Sequence, residues 1–588
     1  MGTMSMETAT TSSTPDLDLA PITAPEPVQD LTPVTANQRI EALDVVRGFA
    51  LLGIFLMNIE WFSRPISSLG QGMPRGLTGV DWWASWFVAY FVQGKFWTIF
   101  SLLFGMGFAV MMTRAERAAR KFKIVYLRRV LALAVFGAAH FVLLWEGDIL
   151  FSYAIGALML MIVLYGRTIP ILISIALAVG LAFIPGWGNV GAVAGGLAAA
   201  GLLAIHLRSG KRIRILRGVP LFSFLLLLIG SLLTVAAAVF WLLPDGPVEP
   251  RLPLSIFGPL LIIAGWLSWK YYEPAEKRVL RLAVSVYLFL GIAMTAGGVI
   301  QRFAPDPDAG IVVAGQSATN VAPVAATDAT KAAAEADKKD SDKGKEKTKE
   351  ERAAERKAER EKRLAEAKAK EENERRIMSS GSYLEAVRLR GGRFPEKAAN
   401  DFTFAIVLVG MFLLGTWFVR SGVMEDTGAH LPFFRKLALY GMPVGIGVGL
   451  LGSLIAMSHT PGDRYDGWGI AVGLSTIGNL PACLGYVGVV VLMLHSKTVF
   501  SRIRVLGPLG RMALTNYLAQ SLICATFFYG YAMGQWGMPR AQQVLFVLGV
   551  YAAQIAFSYW WLSRFQYGPM EWLWRGFTYW QMPQFRRR

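Results

Sequence analysis

The chain has 588 residues, of which 54% are hydrophobic, and a mean hydropathy of +0.42, which excludes an ordinary soluble domain. Its net charge of +18 resembles that of nucleic-acid-binding proteins. However, the basic residues lie largely in short loops between long apolar runs, so the charge indicates membrane topology and no nucleic-acid partner is expected. Both cysteines, Cys483 and Cys524, lie within apolar runs, which argues against a disulfide framework.

The apolar runs predict an all-α, polytopic membrane helix bundle of about 14 transmembrane helices, because about 20 apolar residues cross a bilayer. The predicted spans are residues 42–62, 84–113, 125–145, 149–166, 168–186, 190–207, 218–243, 254–270, 279–301, 402–419, 436–457, 469–494, 511–534 and 541–563. We expect five regions: a disordered cytoplasmic tail at 1–38, an N-terminal bundle at 39–301, a charged insertion at 302–400, a C-terminal bundle at 401–564 and an amphipathic tail at 565–588.

The loops between the spans predict the orientation. An even number of spans places both termini on one side of the membrane, and the loops on that side hold most of the lysines and arginines. The positive-inside rule therefore places both termini in the cytoplasm, as in a multi-pass protein of the bacterial plasma membrane. The same topology places the insertion at 302–400 outside the cytoplasm.

The first span carries ionisable and amide groups at positions where lipid-facing residues would be apolar. Asp44 and Arg47 are three residues apart on this helix, so their side chains can pair, and Asn58 lies near its other end. Charged groups in a membrane span are costly and commonly mark a functional site. Two interpretations remain open: an interfacial ion pair that fixes the helix start, or part of a binding site.

A histidine near the end of the third span is the candidate for proton transfer. His140 is followed by the tight turn of Glu146 and Asp148, which can bring the Asp148 carboxylate back to the imidazole. A carboxylate fixes the tautomer of a histidine and supports its protonated form, as general base catalysis requires. Tyr153 is expected to point toward the same place. The alternative is a buried histidine that bonds a backbone carbonyl.

A turn at residues 507–510 precedes the thirteenth span and predicts an anion site on the cytoplasmic side. Arg511, Thr515, Asn516 and Gln520 lie in the first turns of that helix. A helix N-terminus with free backbone donors and a nearby arginine suits a phosphate group. The alternative for the polar residues is hydrogen bonding between helices, which is common in membrane proteins.

The two charged segments outside the spans are expected to be accessory. Residues 331–376 contain 17 basic and 14 acidic residues and almost no aliphatic ones, which predicts a solvated helical spacer and not a folded domain. The tail holds Glu571, Trp574 and Arg575 at helical spacing, which predicts an amphipathic helix on the inner leaflet.

Five sequence blocks resemble the YeiB family of bacterial membrane proteins, which carries a C-terminal domain of unknown function. The blocks are residues 39–59, 95–107, 140–154, 510–523 and 568–579. The first block, with Leu43, Asp44, Arg47, Gly48 and Ala50, is also similar to the opening helix of transmembrane acyltransferases. Asn58 stands where the acyltransferase-3 branch has a histidine and the heparan glucosaminide acetyltransferase branch has an asparagine.

The resemblance to the acyltransferases implies that the protein transfers an acyl group from cytoplasmic acyl-CoA to an external hydroxyl or amine acceptor. Arg47 and Arg511, with Thr515, Asn516 and Gln520, would then hold the acyl-CoA donor. His140, oriented by Asp148, would deprotonate the acceptor, and Asn58 would polarise the thioester carbonyl. The rival classes are a transporter or exporter of a small solute and a membrane scaffold. No P-loop, HExxH or CxxC motif occurs, so no metal site is expected.

Overall fold

The computed structural model describes residues 40–117, 122–213, 218–243, 250–303, 349–456 and 466–587. The predicted tail at 1–38 and residues 304–348 of the predicted insertion lie outside these ranges. The predicted all-α class is confirmed. Regular structure in the described ranges is helical, apart from a hairpin of two short antiparallel strands, β1 (Arg212–Ile213) and β2 (Val219–Pro220), and an isolated bridge between Phe565 and Arg586.

The described part of residues 40–303 forms the N-terminal helices. They are α1 (Glu41–Asn58), α2 (Gly79–Phe87), α3 (Lys95–Arg117), α4 (Lys123–Ala139), α5 (Leu150–Tyr165), α6 (Thr168–Ala182), α7 (Val190–Arg208), α8 (Leu221–Leu242), α9 (Arg251–Lys270) and α10 (Arg278–Phe303). Single π-helical turns extend α2 through Val88–Val92 and α4 through His140–Leu144.

The described part of residues 349–587 forms the remaining helices. They are α11 (Lys349–Ser380), α12 (Tyr383–Arg420), α13 (Leu431–Lys436), α14 (Met442–Ala456), α15 (Trp468–Leu494), α16 (Gly507–Arg511), α17 (Ala513–Phe528), α18 (Arg540–Arg564) and α19 (Pro569–Tyr579). A π-helical turn at Leu437–Gly441 joins α13 to α14.

Eleven helical stretches in the described ranges are long and apolar enough to cross a bilayer, which is the architecture of a multi-pass membrane protein. Each of the fourteen predicted spans contains a helix, but α5, α6 and α17 have only 16, 15 and 16 residues. A straight span needs about 20 residues. Among the described residues, eleven of the predicted spans are therefore long enough for a straight crossing, and the other three are shorter helices.

Glycines bring the helices of the central bundle into backbone contact. On α3 and α12, a Cβ at Gly105 would collide with the Phe412 backbone, and one at Gly415 would collide with Leu102. On α1 and α16, a Cβ at Gly510 would collide with the Asp44 carbonyl. Small residues permit such close helix packing in membranes. The second pair places the Asp44 turn of α1 directly beside Arg511.

The helix α12 begins much earlier than the sequence predicts. It runs without interruption from Tyr383 to Arg420, so the predicted boundary between insertion and bundle at 400/401 falls inside one helix. Aliphatic and aromatic residues return at Tyr383, and a Ser382–Glu385 capping box fixes the helix start there. Residues 383–400 therefore belong to the bundle and not to a separate insertion.

The end of the predicted spacer is also anchored to the bundle. Glu374 of α11 has a side chain only 3% exposed, and its carboxylate accepts hydrogen bonds from the backbone N–H groups of Ile66, at 2.5 Å, and Ser67, at 3.3 Å. Arg393 of α12 lies 3.0 Å from Glu374 and 2.8 Å from Glu146. The interpretation of residues 331–376 as a free spacer is therefore wrong at this end, because a buried carboxylate holds it in place.

Arg390 of α12 is fully buried and caps the π-helical turn at His140–Leu144. Its Nε donates to the Val142 carbonyl at 2.9 Å, and its Nη2 donates to the Leu143 carbonyl at 3.2 Å. The hydroxyl of Tyr383 also donates to Leu143 O, at 3.1 Å. The last carbonyls of a helix have no partner within the helix, so these side chains satisfy groups that would otherwise be buried without one.

We predict that Arg390→Met lowers the free energy of unfolding by about 2 kcal/mol or more. The Val142 carbonyl loses its side-chain donor and the Leu143 carbonyl loses one of two, and a hydrogen bond to a charged group is worth about 1.5–3 kcal/mol. The thermal unfolding midpoint of the detergent-purified protein measures this effect. Arg388→Met, at an exposed position of the same helix, is the matched control. Equal midpoints for the two variants would contradict the capping role.

Candidate functional site

A buried histidine–carboxylate pair lies at the end of α4. The Nδ1 atom of His140 is 2.8 Å from Oδ1 of Asp148, and the two side chains are 1% and 0% exposed. The other carboxylate oxygen, Oδ2, accepts a hydrogen bond from the backbone N–H of Phe151 at 2.8 Å, in the first turn of α5. Asp148 is thereby fixed from both sides. The predicted approach of Asp148 to His140 is present, and its catalytic role stays a prediction.

The π-helical turn gives His140 its position. The backbone N–H of Trp145 donates to the His140 carbonyl at 2.9 Å, a bond across five residues that widens the last turn of α4. The chain then reverses through Gly147, where a Cβ would collide with the Trp145 indole. This reversal returns Asp148 to the histidine eight residues earlier.

Two tyrosines surround the pair. The ring of Tyr517, on α17, has its centroid 5.2 Å from that of His140. Tyr153, on α5, donates its hydroxyl hydrogen to the Trp97 carbonyl at 3.1 Å and lies 3.3 Å from the Ser101 hydroxyl. Tyr153 lines the cavity described next, near the pair, as predicted.

One cavity, which we call the basic cavity, has a volume of about 300 Å³ and lies between α1, α3, α4, α5, α16, α17 and α19. Its charged and aromatic lining residues are Asp44, Arg47, Arg114, Arg129, Tyr153, Arg511, Tyr517, Glu571, Trp574, Arg575 and Tyr579. Five guanidinium groups against two carboxylates make its wall cationic. Such a wall favours an anionic ligand with phosphate or carboxylate groups.

A second cavity, which we call the tryptophan cavity, has a volume of about 560 Å³. Its aromatic and polar lining residues include Asn58, Glu60, Trp61, Tyr90, Gln93, Trp97, Trp145, Glu146, Asp148, Trp468 and Asn479. Carboxylates and amides replace the arginines of the basic cavity. The two cavities therefore present opposite chemistry to their ligands.

The two cavities meet at the histidine pair. Ile54 of α1 and Ile149, next to Asp148, line both cavities. Tyr517 borders the basic cavity and Asp148 borders the tryptophan cavity, while His140, which contacts both residues, lies between them. A narrow barrier of side chains thus separates the cavities at the position of the buried imidazole.

The structure places three other predicted residues at these cavities. Arg47 and Arg511 both line the basic cavity, and Asn58 lines the tryptophan cavity. Arg47 Nη1 lies 2.8 Å from Asp44 Oδ1, so the predicted ion pair forms within a cavity wall. The Nε atom of Arg511 is buried and has no hydrogen-bond partner in the described part of the chain. Such an atom fits a site for an anion.

Thr515, Asn516 and Gln520 line neither cavity. Asn516 donates to Leu509 O and to Ser558 Oγ, at 3.2 and 3.1 Å, and Gln520 donates to Gln554 at 2.9 Å. These are hydrogen bonds between helices, the alternative left open by the sequence.

The predicted anion site at the start of α17 is already filled by a carboxylate. Glu571 of α19 accepts hydrogen bonds from the Leu514 and Thr515 N–H groups, at 2.7 and 3.1 Å, and from the Thr515 hydroxyl at 2.6 Å. The free backbone donors expected there are therefore satisfied within the chain. Thr515, Asn516 and Gln520 are therefore engaged within the protein, and their role in donor binding stays a prediction.

The sequence did not identify several residues of the site. Arg114, Arg129 and Arg575 belong to the wall of the basic cavity, and Arg390 and Arg393 support the His140 turn from α12. The tail helix α19 forms one side of the basic cavity, with the Trp574 Nε1 group donating to Arg129 O at 3.0 Å. The tail thus has a place in the site besides any contact with lipid. The early start of α12 could have been predicted from the aliphatic and aromatic residues that return at Tyr383.

The Glu146 carboxyl, which lines the tryptophan cavity, gives the site a pH dependence. Burial raises its pKa to about 7, the Arg393 and Arg390 guanidinium groups oppose that shift, and the Glu374 carboxylate adds to it. A carboxyl with a raised pKa binds its proton more tightly in the folded chain. Its contribution to stability is therefore fully present below its ordinary pKa of 4.5 and is lost as the pH rises through about 7.

In the unsubstituted protein, the free energy of unfolding should fall as the pH rises from 4.5 to 7, by about 1.4 kcal/mol for each unit by which the Glu146 pKa is raised. We predict that this fall is absent in Glu146→Gln. Thermal unfolding of both proteins across this range measures the difference. Glu372→Gln, at an exposed position of α11, is the control. An unchanged pH dependence in Glu146→Gln would show that Glu146 does not titrate in this range.

Residues 418–581 match the family described as "Protein of unknown function (DUF418)". The chain is 25% identical over 551 residues to the uncharacterized protein YxaH of Bacillus subtilis (strain 168), covering 92% of this chain and 95% of that protein. It is 31% identical over 172 residues to the uncharacterized protein YeiB of Escherichia coli (strain K12), covering 29% of this chain and 44% of YeiB.

An uncharacterized 39.9 kDa protein of Bacillus acidopullulyticus is 43% identical over 123 residues, 21% of this chain and 33% of that protein. No solved structure matches the chain. The relationship to acyltransferases stays a prediction. The chain is therefore a multi-pass membrane protein that is similar to YxaH and YeiB, and its residues 418–581 match a domain family of unknown function.

Proposed function

We propose that the protein is a transmembrane acyltransferase that takes an acyl group from acyl-CoA in the basic cavity and passes it to a hydroxyl or amine acceptor in the tryptophan cavity. The observation that carries the proposal is the pair of cavities that meet at Ile54 and Ile149, beside the buried His140–Asp148 pair. A transfer reaction across a membrane needs two chambers and one reactive group between them.

The charge of the basic cavity supports an acyl-CoA donor. Coenzyme A carries phosphate groups at its nucleotide end, and planar guanidinium groups bind phosphate through paired hydrogen bonds. The positive-inside rule assigns this arginine-rich side to the cytoplasm, where acyl-CoA occurs. In this proposal, the acyl end enters the cavity while the nucleotide stays at its mouth.

The imidazole supports the chemical step. With its Nδ1 hydrogen donated to Asp148, His140 would present a basic Nε2 that removes the proton of the acceptor as its oxygen or nitrogen attacks the thioester carbon. The Asp148 carboxylate would stabilise the imidazolium that forms. Asn58 lies in the wall of the acceptor cavity, one helical turn from Ile54, and its amide would donate to the thioester carbonyl when the acyl end reaches the shared wall at Ile54.

Transport of a small solute is the second candidate, because two cavities separated by one barrier also suit alternating access, and buried ionisable groups commonly serve as proton sites. Proteoliposomes distinguish the two functions. Acyl transfer releases free CoA on one side and attaches labelled acetyl groups to an envelope extract on the other. Transport gives counterflow of a solute with no release of CoA.

We predict that His140→Asn lowers the rate of CoA release from acetyl-CoA by about 100-fold or more, the usual contribution of a general base. Free thiol is measured with the purified protein and an envelope extract as acceptor. His206→Asn is the matched control, because His206 is also buried but packs against Phe222 and Tyr272, and its Nδ1 has no carboxylate partner among the described residues. Wild-type rates in the His140 variant would contradict the proposed mechanism.

We also predict that Arg511→Gln raises the KM for acetyl-CoA by about tenfold or more, because a hydrogen bond to a charged group is worth about 1.5–3 kcal/mol. The kcat for bound donor should change much less than KM. Arg502→Gln, at an exposed position before α16, is the control. A lower kcat with an unchanged KM would remove Arg511 from the donor site.

A further inference from the structure

Two buried polar atoms at the cavity barrier have no hydrogen-bond partner among the described residues. They are Nε2 of His140 and the hydroxyl oxygen of Tyr517, and these residues are 2% and 5% exposed. A buried polar group without a partner costs about 1–3 kcal/mol. Such groups are rare in native proteins, and a catalytic role is one physical reason for keeping them.

The hydroxyl groups of Tyr517 and Tyr153, which both line the basic cavity, differ in their hydrogen bonds. The Tyr153 hydroxyl already donates to the Trp97 carbonyl at 3.1 Å, so its hydrogen is engaged within the protein. The Tyr517 hydroxyl donates to no acceptor in the described part of the chain, and the Ile149 N–H lies close to its oxygen. Both tyrosines border the basic cavity. Of Tyr153 and Tyr517, Tyr517 is therefore the one whose hydroxyl hydrogen is available to a ligand in that cavity.

The position of Tyr517 relative to His140 suits a proton exchange between them. The two ring centroids are 5.2 Å apart, and the other nitrogen of His140 bonds Asp148, which borders the tryptophan cavity. His140 therefore connects a hydroxyl at the donor cavity with a carboxylate at the acceptor cavity. A thioester in the basic cavity would lie on the Tyr517 side of this connection.

We infer that Tyr517 is the general acid that protonates the leaving sulfur of the thioester donor. This inference rests on the proposed acyl transfer. As the acceptor oxygen or nitrogen bonds to the acyl carbon, its proton moves to Nε2 of His140. The carbon–sulfur bond breaks with its electron pair on sulfur, which takes the Tyr517 proton. The imidazolium then returns a proton to the tyrosinate, so both residues regain their starting states and no net proton is consumed.

The test compares two donors with the purified Tyr517→Phe variant, which removes only the hydroxyl. Acetyl-CoA has an alkyl thiol leaving group that gains from protonation. The second donor, S-(4-nitrophenyl) thioacetate, releases a far more acidic thiol that leaves as the stable anion. We expect Tyr517→Phe to lower kcat about 100-fold with acetyl-CoA and by less than about threefold with the aryl thioester, since general acid catalysis typically contributes 10²–10⁴-fold.

Tyr126→Phe is the matched control, because the Tyr126 hydroxyl is also buried without a partner in the described residues but borders neither cavity. It should keep wild-type rates with both donors. Equal losses with the two donors in Tyr517→Phe, or no loss with acetyl-CoA, would overturn the role of Tyr517 alone. A wild-type protein that cleaves neither donor would overturn the acyl transfer and the Tyr517 role together.

Discussion

The arrangement of the site depends on one buried contact, the 2.8 Å hydrogen bond between His140 and Asp148. Polar groups placed this deep are stable only when their partners are fixed. Here the Asp148 carboxylate is held by the Phe151 N–H group, and the π-helical turn that carries His140 is capped by Arg390. The beginning of α12 is thus a structural requirement of the histidine and not an appendage.

The two cavities differ in the charge of their lining residues. Arginines from α1, α3, α4, α16 and α19 line one cavity, while tryptophans, amides and carboxylates line the other. Only a short barrier at Ile54 and Ile149 separates them. Because the glycine contact between α1 and α16 brings Arg47 and Arg511 to the same wall, the helix packing itself builds the cationic surface.

The helices and the approach of Asp148 to His140 could be predicted from the sequence, because both depend on residues close together in the chain. Hydrophobic runs locate the helices, and the reversal at Gly147 predicts the return of Asp148 to His140. The contacts that the sequence did not predict join residues that are far apart in the chain. No pattern in the sequence indicates that Glu374 reaches the Ile66 and Ser67 N–H groups, or that Glu571 fills the start of α17. Charge density made residues 331–376 look uniformly solvated, although the Glu374 side chain is buried against the bundle.

The most direct measurement is a cryo-electron microscopy map of the protein with acetonyl-CoA, a thioether analogue of acetyl-CoA that cannot be cleaved. We expect density in the basic cavity, with phosphate groups beside Arg511 and the ketone end at Ile54 and Ile149, next to His140. An empty basic cavity, or analogue density confined to the tryptophan cavity, would contradict a donor site in the basic cavity.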